Sequence, residues 1–340
     1  MSFEELKGLK GVKMFSELEK PVGFFDTGLA GLNYIISGAV SGGLPFGRMV
    51  EMFGKESCGK STIGYSAISK AQQNKYIPYL LDTEGAFDES QADRCGIDPN
   101  ALIYDEPKNV DELFKKVYTV LNEVYNVKSS KTPMLIVWDS VAASSLLEDE
   151  KSFDSGAAAQ LARKISPHVN KIMPLIVANP VSFLCINQIR MNLSNFRPVE
   201  DTPGGKTIKF YSSIRLDIRR KADWKDKDGN VLGINSEIKC VKNKITRPYL
   251  STSVNIGYDC GVEPLSSLFD LGLLCGAIKQ SGSRYVFNNE SKYKVEWLHF
   301  MSNDIAVVKS MEDEINKCLD TSSSPSSPST PVDTNNSTDE

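Results

Sequence analysis

Eight consecutive residues carry the first recognisable chemistry of this chain. Gly54-Lys55-Glu56-Ser57-Cys58-Gly59-Lys60-Ser61 fit G-x-x-x-x-G-K-[ST] at every fixed position, and Thr62 follows. Glycines at 54 and 59 permit positive φ and a close backbone approach to phosphate. The N–H groups of such a loop, and of the helix it opens, face the anion. Lys60 is then placed to reach the β- and γ-phosphates of a nucleotide, and the Ser61 hydroxyl to ligate Mg²⁺. A chance Gly-rich turn is the competing reading. The context disfavours it: the apolar run Arg48 to Phe53 reads as a strand, and Ile63, Ala67 and Ile68 form an apolar helical face.

Two carboxylates extend the site. Asp139 closes the apolar run Met134-Leu135-Ile136-Val137-Trp138 and is the natural second metal-site group. Alone, it is equally a helix cap or loop acid. Glu84 stands just past the strand-like Tyr79-Leu80-Leu81-Asp82, where a carboxylate can orient or deprotonate an attacking water. Its bland alternative is a solvated loop acid. These residues together describe an ATPase or other phosphate-loop NTPase, and leave open what the hydrolysis drives.

The elements that must position them alternate. Strands are expected at 79–82, 134–139 and 181–187, and a helical period runs over 111–125. This predicts an α/β fold with a mainly parallel central sheet, a short N-terminal helix in residues 1–20 and a small, helical C-terminal lobe. Polar residues at the strands' carboxyl ends, including Asn187-Gln188, lie where open α/β sheets bind ligands. Later strands are expected at 213–218, 236–241 and 252–256; 23–47 is Gly-rich with interspersed apolar residues, and 42–48 reads as a turn into the first core strand. The division is 1–26 N-terminal helix and linker, 27–261 core, 262–319 lobe and 320–340 tail. The tail is almost all Ser, Thr, Pro, Asn and Asp, a composition that predicts disorder.

Composition bounds the rest. At 340 residues and 41% hydrophobic, the chain is an ordinary globular size and mix. No apolar run is long enough to cross a membrane, and Glu4 and Glu5 argue against a secretory signal. Seven scattered cysteines with no C-x-x-C pair read as reduced thiols in a cytoplasm. His168 and His299 are isolated and poor metal candidates. Net charge is −4, yet Asp320, Asp333, Asp339 and Glu340 lie in a tail without Lys or Arg. The body is neutral, so any nucleic-acid site must be a local basic surface.

The chain resembles the RecA recombinase family from about Thr27 to Leu274. The resemblance is carried by 42–48 (GGLPFGR), 54–62 (GKESCGKST), 139–143 (DSVAA), 186–191 (INQIRM), 216–220 (LDIRR) and 241–245 (VKNKI). It implies a RecA-type phosphate-loop core, ATP and Mg²⁺, and assembly into a helical filament on single-stranded DNA that pairs with homologous duplex. It further implies DNA-stimulated ATP hydrolysis with strand exchange. Single-strand-binding and mediator proteins are further partners it allows. Glu84, Lys60 and Gln188 match catalytic positions, Gln188 as the γ-phosphate sensor. Ser61 and Asp139 match the metal ligands. Asp88 and Tyr258 match nucleotide contacts. Lys242 and Lys244 match lysines that reach ATP on a neighbouring subunit. Arg163, Ser166, Arg190, Met191, Gly204 and Gly205 match DNA-contacting or flanking positions, and the DNA loops correspond to 147–158 and 192–202.

The residues themselves say less. Arg190 alone reads equally as a solvated surface arginine. Lys242 and Lys244, one residue apart on a strand, point the same way, an arrangement that needs an anion or solvent between them. The chain also departs from the family. Gln91 stands where bacterial RecA stacks a tyrosine on adenine, and 146–158 is short and acidic. Pro167 interrupts the following helix, and Asn170 replaces an arginine. Lys206 replaces a polar residue beside the glycine pair and restores positive charge. These departures indicate a divergent member, of bacterial or bacteriophage origin. A hexameric DNA motor of the same core, or a non-hydrolysing DNA-binding regulator, is the alternative reading.

Overall fold

The computed structural model describes residues 22–144, 157–192, 199–226 and 228–322. The expected N-terminal helix, most of 147–158 and residues 323–340 lie outside the described residues. The chain divides into two units at Leu271/Gly272.

The first unit opens with a short ribbon, β1 (Phe24–Phe25) against β2 (Leu44–Pro45). Between them Ala30–Ser37 is a helix with Leu32, Ile35 and Ile36 buried, built from the apolar residues interspersed among the glycines of 23–47. A nine-stranded sheet follows. Its strands are β3 (Arg48–Gly54), β4 (Ile77–Asp82), β5 (Ile103–Asp105), β6 (Met134–Asp139) and β7 (Val181–Gln188). A separate hairpin pairs β8 (Arg190–Asn192) with β9 (Val199–Asp201). The sheet continues with β10 (Ser212–Lys225), β11 (Val231–Asn243), β12 (Ser251–Gly257) and β13 (Gly261–Val262). Its order is β13-β12-β11-β10-β3-β7-β6-β4-β5. The half from β10 to β5 is parallel, and β10 to β13 run antiparallel.

Alternation along each strand feeds two cores, because successive side chains leave opposite faces. Val50, Met52, Leu80, Val137, Leu184 and Leu216 pack with the helices Ala30–Ser37 and Lys60–Gln73. Met49, Tyr79, Leu81, Trp138 and Phe183 pack with the helices Val110–Leu121 and Ala157–Ala178. The result is a three-layer α/β/α arrangement.

Pro167 does not interrupt its helix. Ala157–Ala178 runs unbroken through Pro167 and Pro174. A proline costs a helix interior about 3 kcal/mol. Leu161, Ile165, Val169, Ile172 and Ile176 are all buried at helical spacing, and each such side chain returns roughly 1.5–3 kcal/mol. Packing therefore outweighs the proline.

The second unit contains strands as well as helices, contrary to the purely helical expectation. β14 (Lys279–Ser281), β15 (Arg284–Phe287) and β16 (Glu290–Lys292) form a sheet beside the helices Lys294–Asn303 and Ile305–Ser322. Such short, exposed strands leave almost no alternation to detect. Trp297 is buried and its indole N–H donates to the Tyr285 carbonyl at 2.9 Å. The last helix reaches Ser322, so residues 320–322 are helical, not disordered.

Candidate nucleotide site

Register decides what meets at the carboxyl edge of the parallel strands. Gly54 of β3 lies opposite Gln188 of β7, and Asp82 of β4 lies opposite Asp139 of β6. The phosphate loop, the Glu84 segment, Asp139 and Gln188 therefore share one edge, the edge at which open α/β sheets bind ligands.

The loop from Gly54 to Lys60 curls through Ser57 at φ 55° and Gly59 at φ 89°. Such a turn gathers backbone N–H groups into an anion-binding concavity. Gly54 has no positive φ. Its reason is space, since a Cβ there would lie 2.3 Å from the Ile218 carbonyl oxygen of β10. The Ser236 hydroxyl donates to the Cys58 carbonyl at 3.0 Å and holds the outer turn. Cys58 itself is buried, and burial pushes its thiol up, which disfavours the reactive thiolate. Lys55, Glu56 and Ser57 are exposed along the rim, with Ser61 and Thr62 half-buried where the helix begins.

Lys60 is buried, and its ammonium donates to the carbonyls of Gly54 at 3.2 Å and Lys55 at 2.7 Å. With the Cys58 sulfur a third acceptor at 3.7 Å, it lies across the loop on neutral partners, a geometry in which phosphate oxygens are stronger partners.

Asp139 is 4% exposed. Burial pushes its carboxyl up to about 6; the neighbouring Glu84 and Asp82 push the same way, against hydrogen bonds from Ser61 and Tyr65. The Tyr65 hydroxyl donates to Oδ2 at 3.3 Å. A cation would relieve this desolvated, crowded charge. Among the described residues no three His, Cys, Asp or Glu side chains form a metal cluster. Ser61 and Asp139 thus offer a partial oxygen shell. That fits Mg²⁺, which takes one or two protein ligands and completes its octahedron with phosphate and water.

Glu84 is exposed, but its backbone is not free. Buried Asp82 accepts the N–H groups of Glu84, Gly85 and Phe87 at 3.0, 2.8 and 2.9 Å. Gln188 is half-buried, and its N–H donates to Asn187 Oδ1 at 3.0 Å. Asn187 is fully buried and donates to Glu51 at 3.0 Å and to the Pro203 carbonyl at 2.9 Å. It ties the Gln188 strand end to the Gly204-Gly205 turn.

Beside the loop lies a cleft of about 270 Å³, lined by Ser61, Thr62, Gln91, Arg94, Cys95 and Tyr258, among others. Its position and size suit a nucleobase. Asp88 is not in this lining. Its carboxylate caps the helix Glu89–Cys95 by accepting the Gln91 N–H at 2.8 Å.

The remaining expected residues fall into two further groups. Arg163 is exposed and Ser166 half-buried on the helix Ala157–Ala178, and Arg190 is exposed at the start of β8. Met191 lies in the same strand. Gly204 and Gly205 have φ of 85° and 67° and open the helix Gly205–Tyr211, with Lys206 exposed next to them. A Cβ on Gly205 would come within 2.6 Å of the Ala162 Cβ, so the glycine pair lets this helix pack on Ala157–Ala178.

Lys242 and Lys244 lie elsewhere. Lys242 pairs with Arg215, and Arg215 with Glu51, three residues before Gly54 and so roughly 10 Å back along β3. β11 ends at Asn243, and its ladder slips at Arg215/Leu216. The slip falls before Lys242, and beyond Asn243 the Lys244 N–H still donates to the Ser213 carbonyl at 3.0 Å. Lys242 donates to the carbonyls of Lys209 at 2.6 Å and Phe210 at 3.2 Å. Burial, then Lys244 and Arg215, pull its pKa below the usual lysine range.

Sequence reasoning assigned no role to Asp82, Thr83, Ser140, Tyr65 or Glu51, and put Asn187 at the ligand edge without its partners. Asp82 had a readable signal: an aspartate at a strand end, two residues before Glu84, is placed to hold the following N–H groups. Tyr65 stands one helical turn after Ser61, on the same face. Glu51 had no signal, because an acid inside an apolar strand is explained only by its partners.

Residues 8–263 match the RecA N-terminal domain. The chain is 37% identical over 268 residues to Protein RecA of Chlorobaculum tepidum, covering 78% of this chain and 74% of that one. To Protein RecA of Cutibacterium acnes it is 34% identical over 278 residues, 81% of this chain and 78% of the other. To Protein RecA of Bartonella quintana it is 35% identical over 251 residues, covering 73% and 70%.

Proposed function

Because this chain belongs to the RecA family, we propose that it is an ATP-dependent recombinase. It assembles on single-stranded DNA, pairs it with homologous duplex and exchanges strands, with ATP hydrolysed in a DNA-dependent manner. The ring-motor and non-hydrolysing alternatives are not favoured.

The observation that carries this reading is the register that gathers the phosphate loop, the Glu84 segment, Asp139 and Gln188 on one sheet edge. In it the loop N–H groups and Lys60 bind the β- and γ-phosphates of ATP. Glu84 orients the attacking water and accepts its proton. Ser61 and Asp139 would hold Mg²⁺, which neutralises phosphate charge when bound. Gln188 lies opposite Gly54 and two residues before Arg190, so it links the γ-phosphate to the β8–β9 hairpin. Tyr258 and Gln91 face the base. Arg163, Ser166, Arg190, Met191, Gly204, Gly205 and Lys206 form or flank the DNA surface. Lys242 and Lys244, set back from their own chain's loop, serve ATP on a neighbouring subunit of the filament. Free cysteines, and no helix among the described residues long and apolar enough to cross a membrane, are compatible with the cytoplasmic location we assign.

The test is ATP hydrolysis with and without single-stranded DNA, followed by exchange between a single strand and a homologous duplex. Stimulated hydrolysis with exchange supports the reading. Stimulated hydrolysis that unwinds duplex without exchange supports the motor, and DNA binding with no hydrolysis supports the regulator.

A further inference from the structure

We propose that Ser140, clamped by Thr83, is the positioning residue for the Glu84 carboxylate. The inference rests on the reading that Glu84 acts on the attacking water.

Asp82 fixes the backbone of the Glu84 segment, but a glutamate side chain beyond a fixed backbone still has several rotatable bonds. One contact holds its end. The Ser140 hydroxyl donates to Glu84 Oε1 at 2.5 Å, the short range expected of an O–H donor on a carboxylate. Ser140 Oγ also accepts the Ala143 N–H at 3.3 Å. A hydroxyl has one hydrogen to give, and here it is given to Glu84.

Ser140 is itself immobilised. It is 1% exposed. Its N–H donates to Thr83 Oγ1 at 2.9 Å, and Thr83 Oγ1 donates back to the Ser140 carbonyl at 2.7 Å. The Thr83 N–H donates to the Asp139 carbonyl at 2.8 Å. One threonine side chain thus acts as an extra ladder rung where β4 and β6 end. Behind it, the Trp138 indole donates to Ser144 Oγ at 2.9 Å, and Ser144 Oγ donates to the Ser140 carbonyl at 3.1 Å. Thr83 and Glu84 are sequence neighbours, so the clamp fixes the origin of the Glu84 side chain and the group that captures its tip by the same contacts. A carboxylate restrained at both ends is preorganised for water, and misplacement by about 1 Å can cost on the order of 10²-fold in rate. Ser140 acts through Glu84 and does not touch the reacting atoms.

The test uses the full chain with single-stranded DNA, reading kcat, the ATP KM and the Mg²⁺ half-saturation. Ser140→Ala is expected to lower kcat by roughly 10- to 100-fold, with KM and Mg²⁺ half-saturation within about twofold of the parent. Ser140→Thr, which keeps the hydroxyl, should recover most of that loss. Thr83→Val removes the clamp with little change of shape and should lower kcat by roughly 3- to 10-fold, with Thr83→Ser restoring it. In the Glu84→Gln background, Ser140→Ala should add no further loss, because a residue acting through Glu84 has nothing left to position. Unchanged kcat in Ser140→Ala, an additive loss in the double variant, or a shifted Mg²⁺ half-saturation each overturns the proposal. The last would place the effect on Asp139. If Ser140→Ala does not fold, the Thr83→Val and Thr83→Ser pair decides by the same readouts. Normal hydrolysis by Glu84→Gln would instead remove the reading of Glu84 on which the inference stands, a separable failure.

Discussion

Two regions of the central sheet are built on different terms, the carboxyl edge of the parallel strands and the β10–β11 side at the level of Glu51. At the carboxyl end, the chain supplies its own restraints. Asp82 holds three N–H groups, Thr83 and Ser140 hold each other, and Asn187 holds the Gln188 N–H. On the β10–β11 side, Lys242 rests on two carbonyl oxygens and shares its surroundings with Lys244 and Arg215, against the buried Glu51. Burial and like charge disfavour the charged form of Lys242 there. The first region is a finished cradle for an anion. The second is a cation-rich patch that an anion from outside would stabilise. Between them runs the helix Gly205–Tyr211, tied near its start through Asn187 and Pro203 and at its end through Lys242. In the filament proposed above, the second patch of one subunit would meet the cradle of the next.

The largest effect is expected from Lys60→Ala. Losing the ammonium from the cradle should lower DNA-dependent ATP turnover by about 10³-fold, and turnover near the parent value would break the account of the carboxyl end. Glu84→Gln should follow, with kcat down by about 10²- to 10⁴-fold and nucleotide affinity retained. Lost affinity with unaltered chemistry would mean that Glu84 belongs to binding.

The lysine patch is tested by mixing. Lys244→Ala should reduce DNA-stimulated hydrolysis by roughly tenfold while ATP binding to isolated subunits stays near normal. Mixed with Lys60→Ala protein, it should recover part of the activity, since some junctions then pair one intact half from each subunit. Coassembly without recovery at any ratio would make the two regions independent. The smallest effect probes the connecting helix. Gly205→Ala places a Cβ against Ala162 at positive φ, and should destabilise the fold by about 1–3 kcal/mol in denaturant titration. Unchanged stability would show that the helix shifts freely and is a poor link.

Much of the first region was legible in the chain. A phosphate loop is a contiguous motif, and the runs 79–82 and 134–139 announce buried strands that close on acids. Local pattern suffices there because the chemistry is local: glycines for the turn, a lysine and a hydroxyl at fixed offsets. The continuous helix through Pro167 was not legible, since its stability comes from a buried stripe set by the sheet beneath it.

What the sequence by itself determined is therefore the inventory: the loop, the carboxylates, the strand–helix alternation and the family resemblance. Tertiary structure alone decided which residues meet. Thr83 reaches Ser140 across 57 positions of chain, and Asn187 reaches Glu51 across 136. No spacing rule encodes such pairs, because strand order β3-β7-β6-β4 inserts two later strands between β3 and β4. Lys242 and Lys244 make the same point. Alternation predicts a shared side for them, but not that Lys242 stands opposite Arg215 and Arg215 opposite Glu51, because hydrogen bonding to the neighbouring strand, not local period, sets which side chains lie abreast.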